Sequence, residues 1–300
     1  MKVKLAPDGP EVSRIAIGLM RLRDWNLSAL GIRRRIEQSV ELGLTTFDHA
    51  DIYGDYTCEA LFGEALSSMP SLRRDIQLVT KCGIMLISDN NPGCAIKHYD
   101  TSRSHILASV EHSLKRLRTD YIDLLLIHRP DPAMDVDEIA EAFVSLRDSG
   151  KVLFFGVSNF TPFQFELLSS RLPFPLVTNQ IECSVLMTKP FEDGTIDTCS
   201  KHQISPMAWS PMGGGYLFYG RSKQALRVRK ELKVIGSRLA IPSLDTLALA
   251  WILKHPAGIV PVIGTGKMDR IIRALESLKT DLSREDWFRI WTASQGHDIP

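Results

Sequence analysis

Short apolar runs alternate with longer amphipathic stretches from one end of the chain to the other. Eight of the short runs read as strands: Arg14–Leu19, Thr45–Asp48, Ile76–Lys81, Tyr121–Ile127, Leu153–Val157, Leu176–Gln180, Ile204–Trp209 and Ile259–Ile263. Their richness in Ile, Leu and Val is the pattern of parallel strands covered on both faces. The stretches between them carry helical spacing. Ser28–Leu42 has apolar residues at Leu30, Ile32, Ile36 and Val40, with Gly43 behind it as a C-cap candidate. Ser104–Leu117 carries Ile106, Leu107, Val110, Leu114 and Leu117 on one face, and Asp135–Leu146 repeats the habit before Gly150. Strands and helices alternate without a break in composition, an internal repeat or a low-complexity segment. This predicts one α/β domain over residues 1–300, a closed (β/α)8 TIM barrel with its active site at the C-terminal ends of the strands. The other parallel-sheet solution, a doubly wound open sheet, lacks its fingerprint here. Gly264-Thr265-Gly266 comes nearest to G-x-G-x-x-G and has no third glycine.

Composition narrows the picture by exclusion. Hydrophobic residues make up 44% and charged ones 24%, the balance of an ordinary globular protein. Thirty-six basic against 35 acidic residues leave no electrostatic footprint for nucleic acid or an anionic membrane. No apolar run reaches the length of a membrane span. The opening segment is interrupted by Pro7, Asp8 and Pro10, so it does not read as a signal peptide. The five cysteines are scattered, with no C-x-x-C pair, which suits a reducing compartment. A cytoplasmic location and a monomeric state are the expectations.

The candidate chemistry lies at the strand ends. Asp48 follows the second strand, Lys81 the third and His128 the fourth, while Tyr53 stands five residues past Asp48 in the loop. Singly, each has an ordinary explanation as a snorkelling or loop-bonding side chain. Together, four titratable groups at three adjacent strand ends after apolar runs would be costly unless they pair. Such a group supports proton transfer to a carbonyl oxygen. A free phenol, with a pKa near 10, is a poor donor at neutral pH, and a neighbouring ammonium is expected to lower it. Asp48 would hold Lys81 charged, and His128 would orient the carbonyl. No nucleophile with an adjacent base is present, and G-x-S-x-G is absent. Proton donation without a nucleophile calls for an external electron source, for which a nicotinamide cofactor is the candidate. Ser158, Asn159 and Gln180 suit a carboxamide, and Trp209 offers a flat face for a ring. Thr265, Lys267 and Arg270 stand at a helix start after the last strand, a position suited to an anion.

At these residues the chain resembles the aldo-keto reductase superfamily, in its bacterial NADP-dependent form. "TTFDHADIYG" is similar to the family's Asp-x-Ala-x-x-Tyr-Gly signature, and "HYDTSRSHILASVEHSLKRLRTDYIDLLLIHRPD" to its segment leading to the catalytic His. "GKVLFFGVSNF", "TNQIE" and "AWSPMGGG" match later strand-end motifs in order and spacing. The resemblance implies a tetrad of Asp48, Tyr53, Lys81 and His128 with Tyr53 as the acid. It implies cofactor contacts from Ser158, Asn159, Gln180 and Trp209, a loop of Ser210, Gly213 and Gly214 over the pyrophosphate, and Gly264, Thr265 and Arg270 near the 2′-phosphate. The implied activity is reduction of an aldehyde or ketone with NADP(H) rather than NAD(H), because a bidentate guanidinium suits a phosphate. The chain departs from the family at His49, where small hydroxyl residues are common. It departs again at Gly264, where a cation is frequent and Lys267 would compensate in part, and at Ala274, where an amide or acid is common near adenine.

Two other functions compete with this one. A metal-dependent barrel hydrolase built on His49, Asp51, His98 and His128 would lack the usual His-x-His pair and HExxH, and no metal is expected. A cofactor-sensing subunit with little turnover would keep the same site, but nothing in the sequence favours it. The expected substrate pocket is walled by Met20, Trp25 and Tyr56 and by the loop Gly83–Tyr99. Tyr216, Leu217 and Phe218 are further candidates. Such walls favour an apolar or aromatic carbonyl substrate. Asn90-Asn91-Pro92-Gly93 within the loop predicts mobility when the site is empty.

Overall fold

A computed structural model describes residues 2–300. The chain opens with a hairpin of β1 (Lys2–Lys4) and β2 (Glu11–Ser13). Pro7, Asp8 and Pro10 belong to its turn, where Leu5 N–H donates to Pro10 O and Gly9 N–H to Ala6 O. The eight barrel strands follow. Those of the first part are β3 (Ala16–Gly18), β4 (Thr46–Asp48), β5 (Gln77–Cys82), β8 (Ile122–Ile127), β9 (Val152–Ser158) and β10 (Asn179–Glu182). Between β5 and β8 lies a second small hairpin, β6 (Ile84–Met85) with β7 (His98–Tyr99). Those of the second part are β11 (Met207–Trp209) and β12 (Val260–Ile263). All eight close a barrel in the order β10-β11-β12-β3-β4-β5-β8-β9, the (β/α)8 architecture. The chain divides into two compact units, residues 1–180 and 181–300.

In the first unit the parallel register aligns Gly18 with Asp48, Asp48 with Val79, Lys81 with Leu126 and Ile127 with Val157. Its crossovers are α1 (Ala29–Glu41), α2 (Cys58–Leu66), α3 (Arg103–Leu117), α4 (Val136–Asp148) and α5 (Pro162–Ser169). Ser28, Ser102, Asp135 and Thr161 each cap the N-terminus of the helix that follows with a side-chain oxygen. Gly63 lets α2 approach α3: a Cβ there would lie 2.0 Å from Arg116 O. The buried strand residues Phe47, Leu78, Leu124, Leu126 and Phe155 fill the core, and Phe155 packs on Phe143 with ring centroids 4.4 Å apart.

In the second unit the main helices are α6 (Thr195–Lys201), α7 (Lys223–Leu239), α8 (Leu244–Lys254), α9 (Met268–Glu276) and α10 (Arg284–Gln295). Here Trp251 and Trp287 stack at 4.9 Å, and each indole N–H donates to the other's backbone carbonyl. Trp251 is fully buried and Trp287 half-buried against it, both with their indole N–H satisfied.

The eight expected strands are all present: six are shorter, Ile76–Lys81 shifts by one residue to Gln77–Cys82, and Leu153–Val157 lengthens to Val152–Ser158. Residues 176–178 and 204–206 drop out of the strands at their N-terminal ends. Val177 N–H still donates to Phe155 O, yet regular pairing begins only at Asn179. Among the described residues no helix is long and apolar enough to cross a membrane.

Candidate active site

Asp48 is the last residue of β4, and the chain beyond it keeps following β5. His49 N–H donates to Val79 O at 2.8 Å and Asp51 N–H to Lys81 O at 3.0 Å. The segment that carries Tyr53 is therefore laid down as a continuation of the ladder rather than as a free loop. His128 is fixed in the same way, its N–H on Cys82 O at 2.8 Å.

These backbones bring four side chains to one point. Lys81 Nζ donates to both carboxylate oxygens of Asp48 at 2.8 Å, to His49 O at 2.7 Å and to Tyr53 Oη at 3.2 Å. The Lys81 and Asp48 side chains are 1% and 3% exposed, so the pair is withdrawn from solvent screening. An ammonium has only donors. In the Lys81–Tyr53 bond the phenol oxygen is therefore the acceptor, and the phenol's own proton is left to point elsewhere. The His128 ring meets Tyr53 edge-on at 5.8 Å.

The electrostatics divide by burial. Burial pulls the Lys81 ammonium down, but Asp48 and then Tyr53 overcome it, and the net direction is up. His128 is held well below the usual imidazole range by burial, then by Lys81 and Arg129. It is neutral at pH 7. For Tyr53 the expected lowering is corrected. Lys81 does pull the phenol down, but burial outweighs it and Asp48 also opposes it, so the net direction is up.

The remaining first-unit candidates form a chain behind this group. Asn159, at φ +59°, donates from Nδ2 to Ser158 Oγ at 2.7 Å, and Ser158 Oγ donates to Gln180 O at 2.8 Å. Gln180 Nε2 donates to Asp48 Oδ1 at 2.7 Å. Gln180 thus spends one N–H of its amide on holding Asp48, a contact the sequence did not suggest. Met20, 52% exposed, and the half-buried Trp25 lie on the segment after β3. The Tyr56 hydroxyl accepts from Leu86 N–H at 2.9 Å.

In the second unit Trp209 ends β11 half-buried, and Ser210 turns the chain at φ +50° with its carbonyl accepting from Gly213 N–H at 2.7 Å. Gly213 and Gly214 continue in the left-handed region, and a Cβ on Gly214 would meet open space. After β12, Gly264 also faces open space, and Thr265 Oγ1 accepts from Lys267 N–H. Arg270 is exposed in the first turn of α9. Its neighbour Arg273 is occupied by Asp245 and Asp269 at 3.2 and 3.1 Å. Ala274 is buried in α9.

The model of the Aldo/keto reductase family matches residues 14–294. The chain belongs to that family. Over its full length it is 52% identical to the uncharacterized oxidoreductase YcsN of Bacillus subtilis, covering 99% of that protein. It is 45% identical to a 6-dehydroglucose reductase of Agrobacterium fabrum, over 97% of each chain. A thermostable aldo-keto reductase, crystallised with the inhibitor epalrestat, superposes with a TM-score of 0.81 at 24% identity, over 98% of this chain and 99% of the other. The first two likenesses place this aldo-keto reductase among oxidoreductases; the third shows the fold.

Three features of this aldo-keto reductase escape sequence reasoning. His49 is fully buried, and neither ring nitrogen has a hydrogen-bond partner among the described residues. Its imidazole is pulled down to about 3 by burial and then by Lys81. Asp51 and Glu59 form a buried acidic pair under the Tyr53 turn. Arg129, beside His128, adds a charge felt by both His128 and Tyr53. Of the residues a metal hydrolase would need, His98 lies exposed on β7 with Nδ1 2.8 Å from Ile96 O. Among the described residues no group of three or more His, Cys, Asp or Glu is arranged to hold a metal.

Proposed function

We propose that the protein reduces an aldehyde or ketone to the alcohol, using NADPH as electron donor and Tyr53 as the general acid. The observation that carries this is the direction of the Lys81–Tyr53 bond. Lys81 donates to Oη, so the phenol proton is available to a substrate oxygen, and the ammonium is already placed against the charge that the transfer leaves behind. NADPH, when bound, supplies the hydride, two electrons and one hydrogen, to the carbonyl carbon. Tyr53 supplies the proton to the oxygen and is left as phenolate until it regains a proton from solvent. Asp48, steadied by Gln180, keeps Lys81 charged. The neutral His128 is restricted to hydrogen-bonding the carbonyl.

The residues present suit the cofactor. Within the first unit the Ser158–Asn159 pair offers polar partners to a carboxamide, and within the second Trp209 offers a flat ring face. The open space over Gly214 and Gly264 admits close approach of phosphates to the backbone. Arg270 and Lys267 would hold a 2′-phosphate, which favours NADPH over NADH. The named relative adds a substrate class to the aromatic and apolar carbonyls expected from the sequence: a neutral sugar aldehyde of the 6-dehydroglucose kind.

The test follows NADPH oxidation by absorbance with a reactive aromatic aldehyde and with 6-dehydroglucose, for the wild type and Tyr53→Phe. Turnover by the wild type and a loss of about 10²- to 10⁴-fold in the variant, with NADPH binding retained, is the expected result. Tight NADPH binding without turnover on any carbonyl would favour a cofactor-sensing role. Failure to bind either nicotinamide nucleotide would overturn both.

A further inference from the structure

Immediately after Tyr53 the backbone does something unusual. Gly54, Asp55 and Tyr56 all lie in the left-handed region, at φ +57°, +59° and +63°. Glycine accepts this freely, but Asp and Tyr carry a Cβ that the conformation crowds. Gly54 itself has no room for one: a Cβ there would come within 2.4 Å of Cys58 Sγ. A strained run of this kind persists only where its surroundings hold it in place.

Two sets of contacts do so. The first is local. Thr57 N–H donates to Tyr53 O and Tyr56 N–H to Ile52 O, while Thr57 Oγ1 donates to Gly54 O. The second comes from the arm between β6 and β7, whose base is closed by the pairs Ile84–Tyr99 and Met85–His98. From this arm Leu86 N–H donates to Tyr56 Oη at 2.9 Å and Asn91 Nδ2 to the same oxygen at 3.3 Å. Asn90 Nδ2 donates to Asp55 O at 2.9 Å. Asn91 Nδ2 also lies 3.2 Å from Leu86 O, which ties the arm to itself at the point where it grips Tyr56. Behind, the Arg116 guanidinium of α3 lies 5.8 Å from the centre of the Tyr56 ring. The Tyr56 side chain thus joins arm, turn and helix.

We infer that Tyr56 is a positioning residue for the reaction: by fastening the Ile84–Tyr99 arm to the left-handed turn, it makes the placement of the Tyr53 hydroxyl depend on the placement of the arm. The inference rests on the proposed role of Tyr53 and goes beyond it, because it assigns the arm a part in aligning the acid. The strain gives the coupling its direction. With the arm fastened, the turn is held left-handed and Tyr53 Oη stays within reach of Lys81. With the arm released, the turn loses its external holds and relaxes toward ordinary φ values, carrying Tyr53 with it.

Tyr56→Phe keeps the ring against Arg116 and deletes the acceptor for two arm donors. Asn90→Ala with Asn91→Ala cuts the arm's side-chain bonds at exposed and half-buried loop positions, leaving the turn's own residues intact. For both, kcat is expected to fall between about 5- and 100-fold, the range for a catalytic group displaced by up to an ångström, with the Kd for NADPH unchanged. Limited proteolysis within residues 86–97 should quicken in parallel. Wild-type kcat and an unchanged cleavage rate in both variants would overturn the inference. A fall in thermal stability with kcat unchanged would do the same, since that is what a purely structural tie predicts. A wild type without turnover, or a Tyr53→Phe variant as active as wild type, would instead mark failure of the function proposed above, and the coupling would fall with it.

Discussion

Replacing Asp51 by Asn should stabilise the protein by an amount that grows as pH rises from about 4 to about 8. Asp51 is 5% exposed and lies under the Tyr53 turn. Its Oδ2 accepts from Ser109 Oγ at 3.0 Å, while Oδ1 has no partner among the described residues. One turn further along α3, Ser113 donates to Glu59, which also accepts from Thr80 Oγ1 at 2.6 Å and lies 3.9 Å from the Arg116 guanidinium. The spacing of Ser109 and Ser113 sets the two carboxyls side by side. Burial, and then Glu59, push Asp51 up to about 8, against the opposing pull of Ser109, the Ile52 backbone and Arg116. The sign follows from proton linkage. Between 3.8 and about 8 the native state keeps a proton that the unfolded chain has released, so stability falls as pH rises through that window. At about 1.4 kcal/mol per pH unit the full window is worth about 6 kcal/mol. That is a ceiling, because Arg116 and solvent move toward a carboxylate once it ionises. Asparagine keeps an acceptor for Ser109 and carries no charge at any pH. Equilibrium urea unfolding of both proteins from pH 5 to 8.5 should show the advantage of Asp51→Asn growing with pH, by up to about 4 kcal/mol. A difference that stays constant across this range would refute the reasoning.

The other buried groups make companion predictions. His49, neutral in the fold and pulled down to about 3, takes up a proton on unfolding below its ordinary value of 6.5, so stability is lost as pH falls through the window from 6.5 to about 3. His49→Leu should move the midpoint of acid unfolding, followed by tryptophan fluorescence, to lower pH. Lys81→Met strands the buried Asp48 carboxylate and should cost about 3–5 kcal/mol of stability. Adding Asp48→Asn to Lys81→Met should recover most of that loss, a coupling that urea midpoints of the four proteins would measure.

The barrel was legible because eight Ile-, Leu- and Val-rich runs separated by helical spacing admit few other arrangements. The placement of Asp48, Lys81 and His128 was legible for the same reason, since a residue's position at a strand end follows from the strand alone. What a strand end does not reveal is which neighbour a side chain turns to. Gln180 stands where expected, but its amide reaches Asp48. The Tyr53 phenol shows a second limit: the sequence displays the ammonium that lowers it but not the burial that raises it. Two-residue strands such as Ile84–Met85 and His98–Tyr99 carry no periodicity to read. Asn90 and Asn91 read as residues of a mobile loop, yet they are the donors that fasten the arm. Nothing in the local pattern announced three consecutive left-handed residues, because two of them are not glycine.

A phenol pushed up rather than down is compatible with Tyr53 as the acid, and the reason is differential stabilisation. The raised direction means that Tyr53 holds its proton at neutral pH and is in the donating form when a carbonyl arrives. Burial penalises only the phenolate, a species that develops as the carbonyl oxygen gains electron density and takes the proton. At that stage the Lys81 bond to Oη, 3.2 Å long in the resting site, changes from an ammonium's contact with a neutral phenol into a contact between opposite charges, whose attraction is stronger in a buried, low-dielectric site than in water. The interaction is therefore weakest before the reaction and strongest during it, which is the condition for lowering a barrier rather than merely binding a substrate. His128 cannot take the same part. Its imidazole is held well below the ordinary range, so it has no cationic proton to give at neutral pH. Nor can Lys81, whose ammonium is committed to Asp48, His49 O and Tyr53 Oη. Of the groups gathered here, Tyr53 alone has both a proton to donate and a cation placed to receive the charge that its loss creates.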